Sequence, residues 1–215
     1  MHELFFQLLI YYKLFIKLLT FVHPVSIIFI FISLTNYLPY KEIKRINLIS
    51  NITVFFILFC FLFFGYKILD IFHISIFSLQ ISSGILMFFI SLLMLQEVFL
   101  NITPTFFSDS KNFYSDVIYH VSFVPLSFPL IVNPGVISTI ILWSLKHSKW
   151  YNYFGGFLII FLFVYIYRIL FKISLQIIKF FNDTSFIILK RIMGIILLTW
   201  SIELIISGIK ASFYY

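Results

Sequence analysis

The chain is 215 residues long, 62% hydrophobic and only 11% charged, with a mean hydropathy of +1.09, so it has too few polar side chains to cover a water-facing surface and reads as a membrane protein. Its net charge of +7 comes from lysines and arginines in short loops and at helix ends, where they set orientation, and no basic stripe or aromatic platform offers itself to nucleic acid. Cys60 is the single cysteine, which excludes an intramolecular disulfide and a thiolate metal site.

Six apolar runs, 14–35, 46–66, 74–95, 119–145, 154–171 and 187–209, are long enough to cross a hydrocarbon core of roughly 30 Å, which takes about 20 helical residues. They are apolar on every face instead of alternating, which excludes a β-barrel and predicts an all-α polytopic protein. Met1-His2-Glu3 lacks a basic n-region and no small-residue cleavage site follows the first run, so the first span is expected to be retained.

The first run carries Val22-His23-Pro24, with Ser26 just beyond. A proline inside a helix removes a donor and clashes with the carbonyl four residues back, so a break is expected there. The second run is uninterrupted. The third holds Ser75, Ser78 and Ser82 on one helical face, with Gln80 and Ser83 beside it, a weakly polar stripe that either lines a pathway or bonds to its own backbone. Gly84 follows, a place where two helix backbones can approach closely.

In the fourth run Pro125, Pro129 and Asn133 are four residues apart, a spacing that stacks them on one face of a helix. Asn133-Pro134 is a strong start signal, because Asn is a preferred N-cap and Pro is favoured at the first helical position. The new half-helix carries Gly135, Ser138 and Thr139. In the sixth run Gly194 is a second close-packing position, and Glu203 is the acidic residue inside a span, either a proton carrier or cation partner, or a side chain near enough to the span end to reach interfacial water or stay protonated.

Val22-His23-Pro24 returns as Val132-Asn133-Pro134, and Gly84-Ile85 as Gly194-Ile195, each pair 110 residues apart. The chain therefore reads as one membrane domain, 1–215, made of two three-helix repeats, about 1–105 and 111–215. An odd number of spans per repeat inverts the second half, the arrangement of many secondary transporters. Nine Lys and Arg collect on one side and six on the other, which places both termini outside.

The strings Val22-His23-Pro24, 81–86 (Ile-Ser-Ser-Gly-Ile-Leu), 124–130 leading into 133–139, and 203–208 resemble the MarC family of bacterial inner-membrane proteins. His23 stands where the family usually has Asp or Asn, and Ser83 where a second glycine is common. The resemblance implies six spans, a plasma-membrane location and a relation to carriers of small neutral amino acids.

On this reading the half-helix starts at His23-Pro24-Ser26 and Asn133-Pro134-Gly135-Ser138-Thr139 hold a small neutral amino acid or similar solute by its carboxylate, while Ser78, Ser82, Ser83, Gly84, Gly194 and Glu203 pack helices or line the path. Coupling to protons or sodium is open, as is the oligomeric state. No HExxH, serine elbow, phosphate loop or carboxylate pair occurs, so no enzyme, metal site or cofactor is expected. The competing readings are a channel-like pore and a scaffold without flux.

Overall fold

The computed structural model describes residues 2–22, 24–35, 38–95, 121–147, 149–177 and 183–213. The regular elements among them are helical: α1 (His2–Val22), α2 (Pro24–Thr35), α3 (Tyr40–Ile71), α4 (Ile76–Leu95), an irregular segment (Ser122–Ile131), α5 (Pro134–Lys146), α6 (Trp150–Ile177) and α7 (Asp183–Phe213). Both half-helices start at the prolines that predicted them, because Pro fixes a helical φ and its missing N–H falls where a helix start has no partner for it. The first apolar run begins earlier than its hydropathy suggests, since α1 reaches back to His2.

Three of these helices are long and apolar enough to cross a membrane: Tyr40–Ile71, Trp150–Ser174 and Arg191–Phe213. The Ser122–Ile131 segment and α5, bent by 57° at their break, make a fourth if taken as one span. Six full-length spans are therefore not what the described residues display. The first and fourth apolar runs are divided by breaks, and the third presents a shorter apolar helix, Ile76–Leu92.

The fourth run also departs from a single helical face. Val124 (φ −130°, ψ 123°) and Phe128 (φ −129°, ψ 130°) are extended, so Pro125, Pro129 and Asn133 do not stack along one helix. Each extended residue directly precedes a proline, whose ring excludes the helical region for its neighbour. The Phe128–Pro129 peptide is cis.

The core is built around α2. Ile27, Ile28, Phe29, Ile30, Phe31 and Ile32 are consecutive and all buried, as expected of a helix that is apolar all round. Phe31 stacks on Phe171 of α6 with centroids 4.2 Å apart. By contrast, α3 buries one stripe, in which Ile43, Ile46, Ser50, Val54, Leu58, Leu62, Gly65 and Leu69 recur at helical spacing.

In the rest, α3 lies against α6, the irregular segment and α5, while α5 also packs on α1 and α4, and α4 packs on α7. The α4–α7 pair is the most extensive. A Cβ on Gly84 would lie 2.6 Å from Ile205 Cγ1 and 2.8 Å from the Ser201 carbonyl oxygen, and one on Gly208 would lie 2.7 Å from Ile81 Cγ1. Lipid is as apolar as leucine, so close backbone approach of this kind, with its dispersion contacts, is what holds membrane helices together. Gln80 Nε2 donates to Ser207 Oγ at 2.9 Å across the same seam.

Candidate functional site

The two breaks meet at Asn133. Its backbone is extended (φ −82°, ψ 155°) and its side chain caps α5, accepting from the Val136 N–H at 2.9 Å. Its own carbonyl accepts from the Ile137 N–H at 3.1 Å. The remaining polar atom, Nδ2, donates across to the Phe21 carbonyl at 2.9 Å. Phe21 is the penultimate residue of α1, where carbonyls run out of intrahelical partners. One fully buried side chain thus satisfies orphan groups of both interrupted helices.

The same junction is closed by packing. A Cβ on Gly135 would fall 2.6 Å from Phe21 Cδ1, so only glycine lets the phenyl ring lie against the first turn of α5. Phe21 in turn meets Trp200 of α7 edge to face, with centroids 6.0 Å apart. In the first turn of α5, Pro134 has no N–H, Val136 and Ile137 are engaged by Asn133, and the Gly135 amide is the one that neither capping bond occupies. Ser138 Oγ and Thr139 Oγ1 both donate to the Gly135 carbonyl, at 3.0 and 2.8 Å.

The other expected site residues fall in different places. His23 and the side chain of Ser26 lie outside the described residues; Pro24 is half-buried at the start of α2. Ser78 and Ser82 are exposed on α4 and spend their hydroxyls locally, Ser78 with Ser75 Oγ at 2.8 Å and Ser82 on the Leu79 carbonyl at 2.9 Å. Ser83 is fully buried with its Oγ unpartnered, beside Gly84 in the α4–α7 seam. Gly194 is buried on α7. Glu203 is exposed on the outer face of α7 and does not join the junction. Among the described residues no group of three His, Cys, Asp or Glu is placed to hold a metal ion.

The partner that sequence reasoning missed is Phe21. It acts through its main-chain carbonyl, which any residue carries, so no side-chain signal marks it. Gly135 was included as part of a string, but the reason it must be glycine, the ring of Phe21, is visible only in three dimensions.

A second concavity lies one turn further along α5. A cavity of about 320 Å³ opens between α1 and α5, lined by Lys13, Lys17, Thr139, Trp143, Lys146 and His147 among others. Burial and the neighbouring Lys146 ammonium hold the His147 imidazole below its ordinary value.

Comparison with known sequences identifies the family. The chain matches the profile described as "MarC family integral membrane protein" over residues 8–213. It is 39% identical over 208 residues to the UPF0056 membrane protein BU267 of Buchnera aphidicola subsp. Acyrthosiphon pisum, covering 97% of this chain and 95% of that one. It is 35% identical to the UPF0056 membrane protein YhcE of Escherichia coli, covering 99% and 98% of the two chains. To YvbG of Bacillus subtilis it is 30% identical, with 93% of each covered. No solved structure matches the chain.

Proposed function

The chain belongs to the MarC family of integral membrane proteins, and from that premise we propose that it is a secondary transporter of small neutral amino acids or similar zwitterionic solutes in the bacterial inner membrane, working at the Asn133–Phe21 junction. The observation that carries this reading is the Asn133 Nδ2 bond to the Phe21 carbonyl, which joins two interrupted helices. Irregular backbone at membrane depth is tolerated where protein buries it or where it lines a cavity. In this conformation it is buried, and the Asn133 amide occupies the acceptor that a substrate ammonium would use.

The pairing of helices supports a six-span inverted repeat. Two of the pairings, α3 with α6 and α4 with α7, join elements related by the 110-residue offset, while α1 meets α5, whose counterpart by that offset is α2. Transporters of this plan bind substrate where discontinuous helices face each other near the bilayer midplane.

Substrate entry then breaks one bond and replaces it with several. The ammonium of the solute takes the Phe21 carbonyl. Its carboxylate takes the Gly135 N–H and the freed Asn133 amide at the positive end of α5. A small side chain is required, because Phe21 and Trp200 close the space beside Gly135. An uptake assay reads whether a proton or sodium gradient drives net flux; Glu203 is exposed on α7.

The test is uptake of labelled glycine, alanine and serine into proteoliposomes, with and without proton and sodium gradients, against an Asn133→Leu variant. Saturable, exchangeable uptake that the variant loses supports the site. Absence of uptake of all three by folded protein sinks the amino acid reading, and non-saturating flux would mark a pore.

A further inference from the structure

We propose that the cavity between α1 and α5 is an anion site that takes a phosphate group, independent of the Asn133–Phe21 junction and of any transport through it. Three ammonium groups converge there from two helices, Lys13 and Lys17 one turn apart on α1 and Lys146 at the end of α5, with His147 following and no carboxylate in the lining. With no carboxylate among the lining residues, the fields of these groups add in the cavity and favour an anion there. Compensation of the negative end of α5 explains Lys146 alone, since a helix terminus carries only about half a charge. Lys13 and Lys17 belong to another helix and find no ion-pair partner among the described residues.

A second observation is the Trp143 indole. It is 8% exposed and lines the cavity, yet its Nε1 has no hydrogen-bond partner. Gly156 of α6 packs against the Cζ3 and Cη2 edge of the ring, where a Cβ would come within 2.7 and 3.1 Å. The N–H therefore lies on the opposite edge, away from α6. A buried donor left unpaired costs about 1–3 kcal/mol.

The donor set favours phosphate over a carboxylate. Ammonium groups from two sides surround a volume of about 320 Å³, which suits a tetrahedral group with several acceptor oxygens better than a planar one with two. Tyr12, Trp150 and Tyr151 are exposed on the same end of the helices, with Lys149 over the Tyr151 ring at 5.8 Å. Aromatic and basic residues in this combination mark headgroup depth, where lipid phosphates are dense, and free phosphate presents the same chemistry.

The experiment compares full-length protein with Lys13→Gln/Lys17→Gln and with the control Lys67→Gln/Lys210→Gln, which removes equal charge elsewhere. One arm measures retention of phosphatidylglycerol against phosphatidylcholine after purification from nanodiscs; the other titrates inorganic phosphate in detergent and reads indole fluorescence. Loss of lipid selectivity on the order of tenfold in the first variant only, with a weaker, several-fold loss in Trp143→Phe, supports the site with a lipid source. Phosphate binding with the same variant pattern and no lipid selectivity supports it with a soluble source. Equal losses in both lysine pairs, or no selective binding in either arm, overturns it. Retained elution and helicity of the variants guard against misfolding.

Discussion

The α4–α7 seam and the α1–α5 junction both join the two halves of the chain, yet they are built on opposite principles. In the seam, glycines bring backbone against backbone: Gly84 faces the Ser201 carbonyl and Ile205, and Gly208 faces Ile81. Its polar contact is one side-chain bond, Gln80 to Ser207. In the junction, one side chain supplies polar closure for two broken helices, and a cavity opens beside it. A seam of interlocked backbones has one low-energy arrangement, whereas a junction held by an exchangeable hydrogen bond has an alternative whenever a ligand offers equivalent groups. On the proposed function, the seam is the scaffold and the junction is the moving part.

Gly84→Leu should break this comparison most forcefully. Even its Cβ collides with main-chain atoms of α7, which cannot turn aside as a side chain can, so a loss of about 3 kcal/mol or failure to fold is expected, read as thermal stability in detergent. A variant as stable as the parent would show that the seam is not the rigid half.

Asn133→Leu follows, with about 2–3 kcal/mol from loss of the cap and of the Phe21 bond together. Asn133→Ser sharpens the result, because serine keeps a capping oxygen and lacks the reach to Phe21. It should cost about 1 kcal/mol while speeding hydrogen exchange at the end of α1 and not in α4. If exchange rises equally in both helices, the junction does not open independently.

Gly208→Ala meets the side chain of Ile81 at Cγ1 first, with main-chain atoms further off, so about 1 kcal/mol is expected in chemical or thermal denaturation. Gln80→Leu should matter least, about 0.6 kcal/mol, the usual worth of one interhelical hydrogen bond in a membrane protein. A larger loss there than at Gly208 would mean that polar bonds, not close packing, hold the seam.

Much of this was legible before any coordinates. Pro24 and Asn133-Pro134 announced helix starts because proline acts through its own covalent geometry, and Asn133 caps α5 through a bond three residues away. The long apolar runs became α3, α6 and α7 for the same local reason. Other readings depended on distance in space. The spacing of Pro125, Pro129 and Asn133 suggested one helical face, but that inference assumed a regular helix that consecutive prolines do not permit. Ser78, Ser82 and Glu203 looked like pathway residues by polarity alone, and the fold turns all three outward.

By itself, the sequence determined that this protein lives in a membrane, that it is helical, that it belongs to the MarC family, and where its helices are interrupted. These follow from composition, periodicity and the stereochemistry of proline, which act within a few residues of themselves. Only the tertiary structure decided that the interruptions share one asparagine, that Gly135 makes room for Phe21, and that Lys13 and Lys17 of α1 face Lys146 and an unpaired Trp143 indole across a cavity. Those arrangements join groups more than 100 residues apart, and their energies depend on which helix packs against which, a choice that no local pattern encodes.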